Sequence, residues 1–240
     1  MKKTQVLKLL RENRNERGIA NWKKLGPKKT SNLKSYGIGL TQLRKLAKEI
    51  GRDHSLAQLL WKSDIYDVKV IGLLIDDPKQ ISRAQAEKQV EELNAGMLAH
   101  VFASCGAPLA KAPLAFELAC DWIESSDAMR RRCGYTLIYE LSKRNIKAMD
   151  EAYFMNTIAE IQDKIDDETK WVKAAMAGAL MGIGKRNKRL NKAAVAAATE
   201  IGPIDIDYGP DNNCEPLDVL KHLTSDYLKQ KFAKMQMHAG

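Results

Sequence analysis

The chain has 240 residues, 45% of them apolar, and carries 39 Lys and Arg against 30 Asp and Glu, a formal charge of +9 with a pI near 9.3. That length and apolar content suffice for a buried core, and the modest glycine and proline content excludes collagen and wholesale disorder. The basic surplus points to a polyanionic partner, nucleic acid or an acidic membrane surface, while no run of about 18 apolar residues offers a membrane span.

The first stretch, Met1 to Arg17, is charged throughout and lacks the apolar centre of a signal peptide, so the chain is expected in the cytoplasm. From there the pattern is helix after helix. Leu40, Leu43, Leu46, Ala47 and Ile50 recur at helical spacing, with Thr41 or a neighbour as cap and Gly51 as the stop. The next helix begins near His54 and carries Leu56, Leu59 and Leu60. After a break at Lys62 to Asp64, a third bears Val68, Ile71 and Leu74 and ends before Asp77-Pro78. Further helices are predicted at roughly Ser82–Leu93, Ala95–Cys105, Leu114–Ser125, Ala128–Arg144, Asp150–Ile165, Glu168–Lys185 and Asn191–Ile201.

The only strand-like piece, Ile204 to Tyr208, is flanked by Gly202-Pro203 and Gly209-Pro210 and reads as a surface loop. Asp205, Asp207 and Asp211 lack the spacing and the closing glutamate of a calcium loop. Cys105, Cys120, Cys133 and Cys214 show no metal-binding spacing, and the first three lie in apolar helical stretches as small buried hydrophobes. No metal and no cofactor is expected.

Short loops between amphipathic helices make antiparallel neighbours. Helix pairs recur at irregular intervals of roughly 35 to 45 residues, within the range of HEAT-like repeats, and periodicity alone leaves both solenoid and bundle open. No linker divides the chain, so one helical-repeat domain is expected over 1–240, closed by a C-terminal loop and helix over 202–240.

The positive charge is clustered. Lys23-Lys24, Lys28-Lys29, Arg130-Arg131-Arg132 and Lys143-Arg144 precede the densest group, Lys185, Arg186, Lys188, Arg189 and Lys192, which contains no acid. Such a group can neutralise several phosphates, with binding that weakens steeply in salt. A cation near a helix C-terminus also suits the helix dipole, which is an equal reading for Lys143-Arg144. Trp22, beside Lys23-Lys24, is read as buried by an amphipathic first helix.

Several motifs then carry a resemblance. They are Tyr36-Gly37-Ile38-Gly39-Leu40, Leu43-Arg44-Lys45-Leu46-Ala47-Lys48, His54-Ser55-Leu56-Ala57, Leu60-Trp61-Lys62-Ser63, Ile65-Tyr66-Asp67-Val68-Lys69 and Leu73-Leu74-Ile75-Asp76-Asp77-Pro78. Trp122-Ile123-Glu124-Ser125, Arg131-Arg132-Cys133-Gly134-Tyr135, Val172-Lys173-Ala174-Ala175 and Ile183-Gly184-Lys185 agree. Over about residues 17–200 the chain resembles the DNA alkylation repair family, the AlkD-like DNA glycosylases built from HEAT-like repeats.

The resemblance implies an all-α, right-handed α-α superhelix whose basic concave face cradles DNA. It implies excision of cationic alkylated purines by active members, which present two tryptophans, an aspartate and an arginine. The carboxylate would stabilise positive charge on the sugar, and the indoles would stack on the cationic nucleotide. Carried over position by position, the arginine is kept as Arg132, Gly96 and His100 stand at the first tryptophan and the aspartate, and Gly178 stands at the second tryptophan. Glycines there would leave room for a distorted or branched backbone.

The expected DNA contacts are Arg130, Arg131, Arg132, Lys173, Lys185, Arg186, Lys188, Arg189, Lys192 and His100. The expected function is binding of damaged, bent or branched DNA without alkylpurine excision. The alternatives are an active glycosylase for 3-methyladenine and 7-methylguanine with a relocated site, and a helical scaffold for a protein partner.

Overall fold

Several helices in this chain start where a short polar side chain accepts an orphan backbone N–H, and some stop at glycine or at an extended residue. Asp53, Ser82, Asp127, Asp150 and Asn187 each cap a helix in this way. The computed structural model describes residues 1–104, 106–205 and 216–237. Helices joined by short loops form two compact units, Met1–Leu118 and Ala119–Gly240. Among the described residues there is no strand beyond an isolated parallel bridge, Lys34 to Ile65. No described helix is long and apolar enough to cross a membrane.

The first unit holds α1 (Lys3–Glu12), α2 (Glu16–Lys24), α3 (Gly26–Thr30), α4 (Leu40–Ile50), α5 (His54–Trp61), α6 (Tyr66–Ile75), α7 (Arg83–Val90), α8 (Leu98–Ala103) and α9 (Pro108–Lys111). The boundary falls within α10 (Ala115–Ile123). Helix α6 is the centre, buried on nearly every side against α4, α5 and α8. Its Val68, Val70 and Ile71 are wholly inaccessible, and each such side chain contributes about 1.5–3 kcal/mol by burial. Asp67, equally inaccessible, organises the segment before α4. Its Oδ2 accepts from Ser35 Oγ and from the Tyr36 N–H, both at 2.7 Å, and its Oδ1 accepts from the Ile38 N–H at 2.9 Å. Gly37, at φ +69°, meets Gly18 of α2 backbone to backbone. A Cβ on Gly18 would lie 2.0 Å from the Gly37 carbonyl oxygen.

Other motif residues of this unit are equally structural. Lys69 is buried, donates to the Trp61 carbonyl at 2.7 Å and pairs with Glu92 at 2.9 Å. His54 Nδ1 lies 2.7 Å from Asp76 Oδ1, while Gln58 and Gln85 donate to Asp76 Oδ2.

The second unit holds α11 (Ala128–Ser142), α12 (Glu151–Lys164), a 3-10 turn (Ile165–Asp167), α13 (Lys170–Gly184), α14 (Lys188–Ile201), α15 (Val219–Leu223) and α16 (Asp226–Met237). Helices α11 and α13 form its most extensive packing and run side by side in one direction, since Arg132 meets Trp171 while Tyr139 and Ser142 meet Gly182. The close approach depends on Gly182, where a Cβ would lie 2.5 Å from Ser142 Oγ. Gly178, one turn earlier, has nothing within 4 Å of a built Cβ. Gly182→Ala is therefore expected to destabilise by about 1–3 kcal/mol through overpacking, and Gly178→Ala to stabilise by about 0.5–1 kcal/mol through helix propensity. Urea unfolding midpoints moving in opposite directions would check this pair.

The predicted helices from Leu40 to Ile75 are present, and Gly51 ends α4 at φ +81°. Gly39, not Thr41, is the N-cap of α4, and no side chain caps it. The N-terminal stretch, read only as charged, forms α1, which buries Val6 and Leu10 completely. Helix α14 starts at Lys188, three residues before the predicted Asn191, because the Asn187 side chain accepts from the Leu190 N–H at 2.8 Å. The C-terminal region carries two helices, α15 and α16, rather than one. Cys133 is wholly buried, which pushes its thiol up to about 12, and Cys120 is half-buried. Cys105, Asp207, Asp211, Cys214 and most of the Ile204 to Tyr208 segment lie outside the described residues.

Candidate nucleic-acid interface

Successive residues on a helix point about 100° apart, so a run of three arginines cannot act together. On α11, Arg130 turns to Asp127 at 3.8 Å. Arg131 makes a two-point pair with Glu168, its Nη2 donating to Oε2 at 2.9 Å, and donates to the Ser125 carbonyl at 2.8 Å. Arg132 turns to α13, where its guanidinium lies 4.6 Å from the Trp171 ring centroid. Trp171 opens α13 and is 42% exposed, unusual for an indole. Two turns along the same helix face stands the open Gly178. Sequence reasoning assigned no aromatic to this surface. Trp171 was overlooked because a lone tryptophan at the start of an apolar helix reads as core. The readable signal was its position one residue after Lys170, outside the apolar periodicity of Val172, Met176 and Leu180.

The dense cation group around residue 185 is split by the Asn187 cap, which sends sequence neighbours to different places. Lys185 ends α13 and faces a cleft. Arg186 is spent on the fold: its Nη1 donates to the Ser142 and Arg144 carbonyls, the latter at 2.8 Å, and its guanidinium lies over Phe154. Arg189 pairs with Glu151 at 2.6 Å. Lys188 and Lys192 are exposed on the first turns of α14. Lys173 is half-buried and donates to the Asp166 carbonyl at 2.9 Å. Of the cations singled out in this unit, Arg132 lies against an exposed indole and Lys185 lines a cleft without an ion pair to any described residue.

The cleft has a volume of about 550 Å³ and lies where α11 and α13 end against α15 and α16. Lys143, Lys185 and Lys231 line it, with Arg144, His222 and Tyr227. No Asp or Glu is among its described lining residues. Burial first, then the charges of Lys143 and Lys231, holds the Lys185 ammonium below its ordinary range. Burial first, then Lys185, likewise holds the His222 imidazole low.

In the first unit, His100 sits on α8, half-buried. Ser104 Oγ donates to the His100 carbonyl at 2.8 Å and lies 3.1 Å from His100 Nδ1. Gly96, at φ +49°, does not leave the expected room. A Cβ there would lie 2.9 Å from the Trp22 indole and 3.0 Å from the Tyr66 ring. Trp22 packs on Tyr66 with ring centroids 4.4 Å apart and donates from Nε1 to the Leu33 carbonyl at 2.8 Å. It is half-buried, so an indole from α2 fills the space beside Gly96. Tyr66 accepts from the Met97 N–H at 3.2 Å, and burial pushes its hydroxyl up to about 12.

Comparison with known proteins places this geometry. A solved structure described as a new family of proteins related to the HEAT-like repeat DNA glycosylases with affinity for branched DNA structures superposes with a TM-score of 0.78, at 22% identity, covering 97% of this chain and 96% of that one. That likeness shows a HEAT-like helical-repeat fold. The uncharacterized protein Lmo0209 of Listeria monocytogenes is 23% identical over 190 residues, 78% of this chain and 81% of that protein. The uncharacterized protein Lin0241 of Listeria innocua is 22% identical over the same shares. The family described as DNA alkylation repair enzyme matches residues 6–209, most of the chain. An all-α repeat of this kind, with that match across both units, belongs to the DNA alkylation repair enzyme family.

Proposed function

We propose that this protein binds DNA through the accessible α11–α13 surface of its second unit, favours branched or distorted DNA over straight duplex, and does not excise alkylated purines. The observation that carries the reading is the Arg132–Trp171 pair, an exposed indole under a guanidinium, with the open Gly178 beyond it on the same helix. A guanidinium suits phosphate oxygens, and an indole face suits an unstacked base. Straight duplex offers backbone but no free base face, whereas a branch point offers both. The affinity of the similar solved protein for branched DNA points the same way. Excision is disfavoured because His100 stands at the family's aspartate, and an imidazole cannot stabilise a cationic sugar as a carboxylate does.

Binding to a four-way junction and to a duplex of equal length, each at two salt concentrations, tests the reading. Tighter junction binding that weakens steeply with salt is expected. Equal affinity for both forms would remove the branched preference, and salt-independent binding would favour a protein-scaffold role. One observation favours the rival activity: Trp171 against Arg132 supplies an indole and an arginine, two of the four features of the active members. A single-turnover assay on 7-methylguanine duplex decides it. Base release above the spontaneous rate that vanishes in Arg132→Ala would establish excision.

A further inference from the structure

We propose that the cleft at the C-terminal ends of α11 and α13 is a site for a phosphorylated DNA strand end, taking the terminal phosphate monoester and its nucleotide. The inference rests on the DNA-binding reading above and adds to it a second, separate site. Three ammonium groups, those of Lys143, Lys185 and Lys231, converge on one cleft with no carboxylate among its described lining residues. Lys143 keeps a partner outside, Glu140 at 3.0 Å. Lys185 makes no ion pair with any described residue, yet it is half-buried among like charges. Its charge is disfavoured by burial and by Lys143 and Lys231, which hold the ammonium below its ordinary range. A half-buried ammonium in a cleft with no carboxylate beside it is a candidate anion site.

The backbone around the cleft has been made hospitable to an anion. Two helix C-termini face it, and free carbonyls there would repel phosphate. Arg186 covers the Ser142 and Arg144 carbonyls, and Lys231 Nζ donates to the Lys185 carbonyl at 2.8 Å. The carbonyl dipoles are thereby engaged, and the lysine charge remains for a ligand. A phosphodiester within a strand carries one charge, whereas a terminal monoester carries nearly two at neutral pH, which suits three converging ammonium groups better. The volume, about 550 Å³, exceeds what a phosphate alone needs and falls within the range of small-molecule sites. Tyr227, 77% exposed at the rim, offers a face for the terminal base or sugar.

The test compares one short single-stranded oligonucleotide with a 5′-phosphate, with a 3′-phosphate and with hydroxyl ends only, by fluorescence anisotropy. Inorganic phosphate and a closed circular DNA serve as further probes. One phosphorylated form is expected to bind about tenfold tighter than the hydroxyl form through charge-assisted contacts. That advantage should disappear in Lys185→Gln and shrink in Tyr227→Ala. Lys185→Gln removes an unpaired charge from a crowded cleft, so its folding stability should hold or rise, and Tyr227→Ala removes an exposed side chain. Loss of the advantage with intact stability separates a ligand role from a structural one. Equal binding of all three forms would overturn the proposal, and retained binding of circular DNA would then leave the DNA reading standing. Inorganic phosphate that binds as tightly as the phosphorylated strand would also overturn it, in favour of a small-anion site. Failure of every DNA to bind would overturn both.

Discussion

Asp67→Ala is expected to cost about 3–5 kcal/mol, because three donors lose their buried acceptor at once. The carboxyl group is wholly inaccessible and satisfies three donors, the Ser35 hydroxyl and the Tyr36 and Ile38 amides. Without it all three are stranded, each at a desolvation cost of about 1–3 kcal/mol where water cannot reach. The damage also spreads, because the segment those amides belong to holds Gly37 against Gly18 of α2. Asp67→Asn should fall in between, since its amide nitrogen would face a donor in place of an acceptor. Asp64, three residues earlier, provides the contrast. It pairs with Lys34 at 2.9 Å, but both side chains are mostly exposed, so Asp64→Ala should leave the unfolding midpoint nearly unchanged. Chemical denaturation of the three variants measures the series, and an Asp67→Ala variant as stable as Asp64→Ala would refute the account.

Trp171→Ala is expected to weaken binding of branched DNA by about five- to 150-fold, the span of one lost aromatic–base stack at about 1–3 kcal/mol. Because the indole is 42% exposed, helix content and unfolding midpoint should barely move. Arg132→Ala should weaken binding through the lost phosphate contact and also release the indole from its guanidinium, 4.6 Å away. The two side chains touch, so the double variant should lose less than the sum of the single losses. Arg132→Lys should not restore full affinity, because an ammonium lacks the planar fork and stacks less well. Anisotropy titrations of the four proteins at one salt concentration provide the measurement, and wild-type affinity in Trp171→Ala would remove the surface from the function.

The helices of the first unit could be read in the sequence because their apolar residues recur on one face and their ends are marked by residues such as Gly51 and Asp53. Helix α1 was obscured by its charge: only Val6 and Leu10 face inward, too few to stand out in Met1 to Arg17. The family motifs were legible as motifs, but their meaning was not. Asp67, Lys69, His54 and Asp76 are polar residues with the look of a site, yet each is consumed by partners inside the first unit. Spacing alone cannot distinguish a buried structural carboxyl from a reactive one.

The proposed interface was half legible. Arg132 stands where the motif put it, but its two sequence neighbours point elsewhere, a consequence of helical rotation that a run of letters conceals. Trp171 was not found, and Trp22 was read only as buried, since both derive their meaning from distant residues, Arg132 in one case and Gly96 in the other. The cation group at 185–192 looked like one patch and is divided by a helix start. The cleft joins residues from 139 to 231 and had no local signature.

The segment from Lys34 to Ile38 has the appearance of a loop and the bonding of a core. Its Tyr36 and Ile38 amides are given to Asp67, its Tyr36 carbonyl receives the Asn15 amide at 2.9 Å, and Lys34 bridges to Ile65. All these bonds reach across about twenty to thirty residues of chain, so none can form until α2 and α6 are in place, and each closure carries an entropic cost that grows only slowly with length. Backbone protons at Tyr36 and Ile38 are therefore exchanged with water only when the first unit opens as a whole. Two positions with no helix around them are thus expected to exchange as slowly as the helices they are tied to, which hydrogen exchange would show.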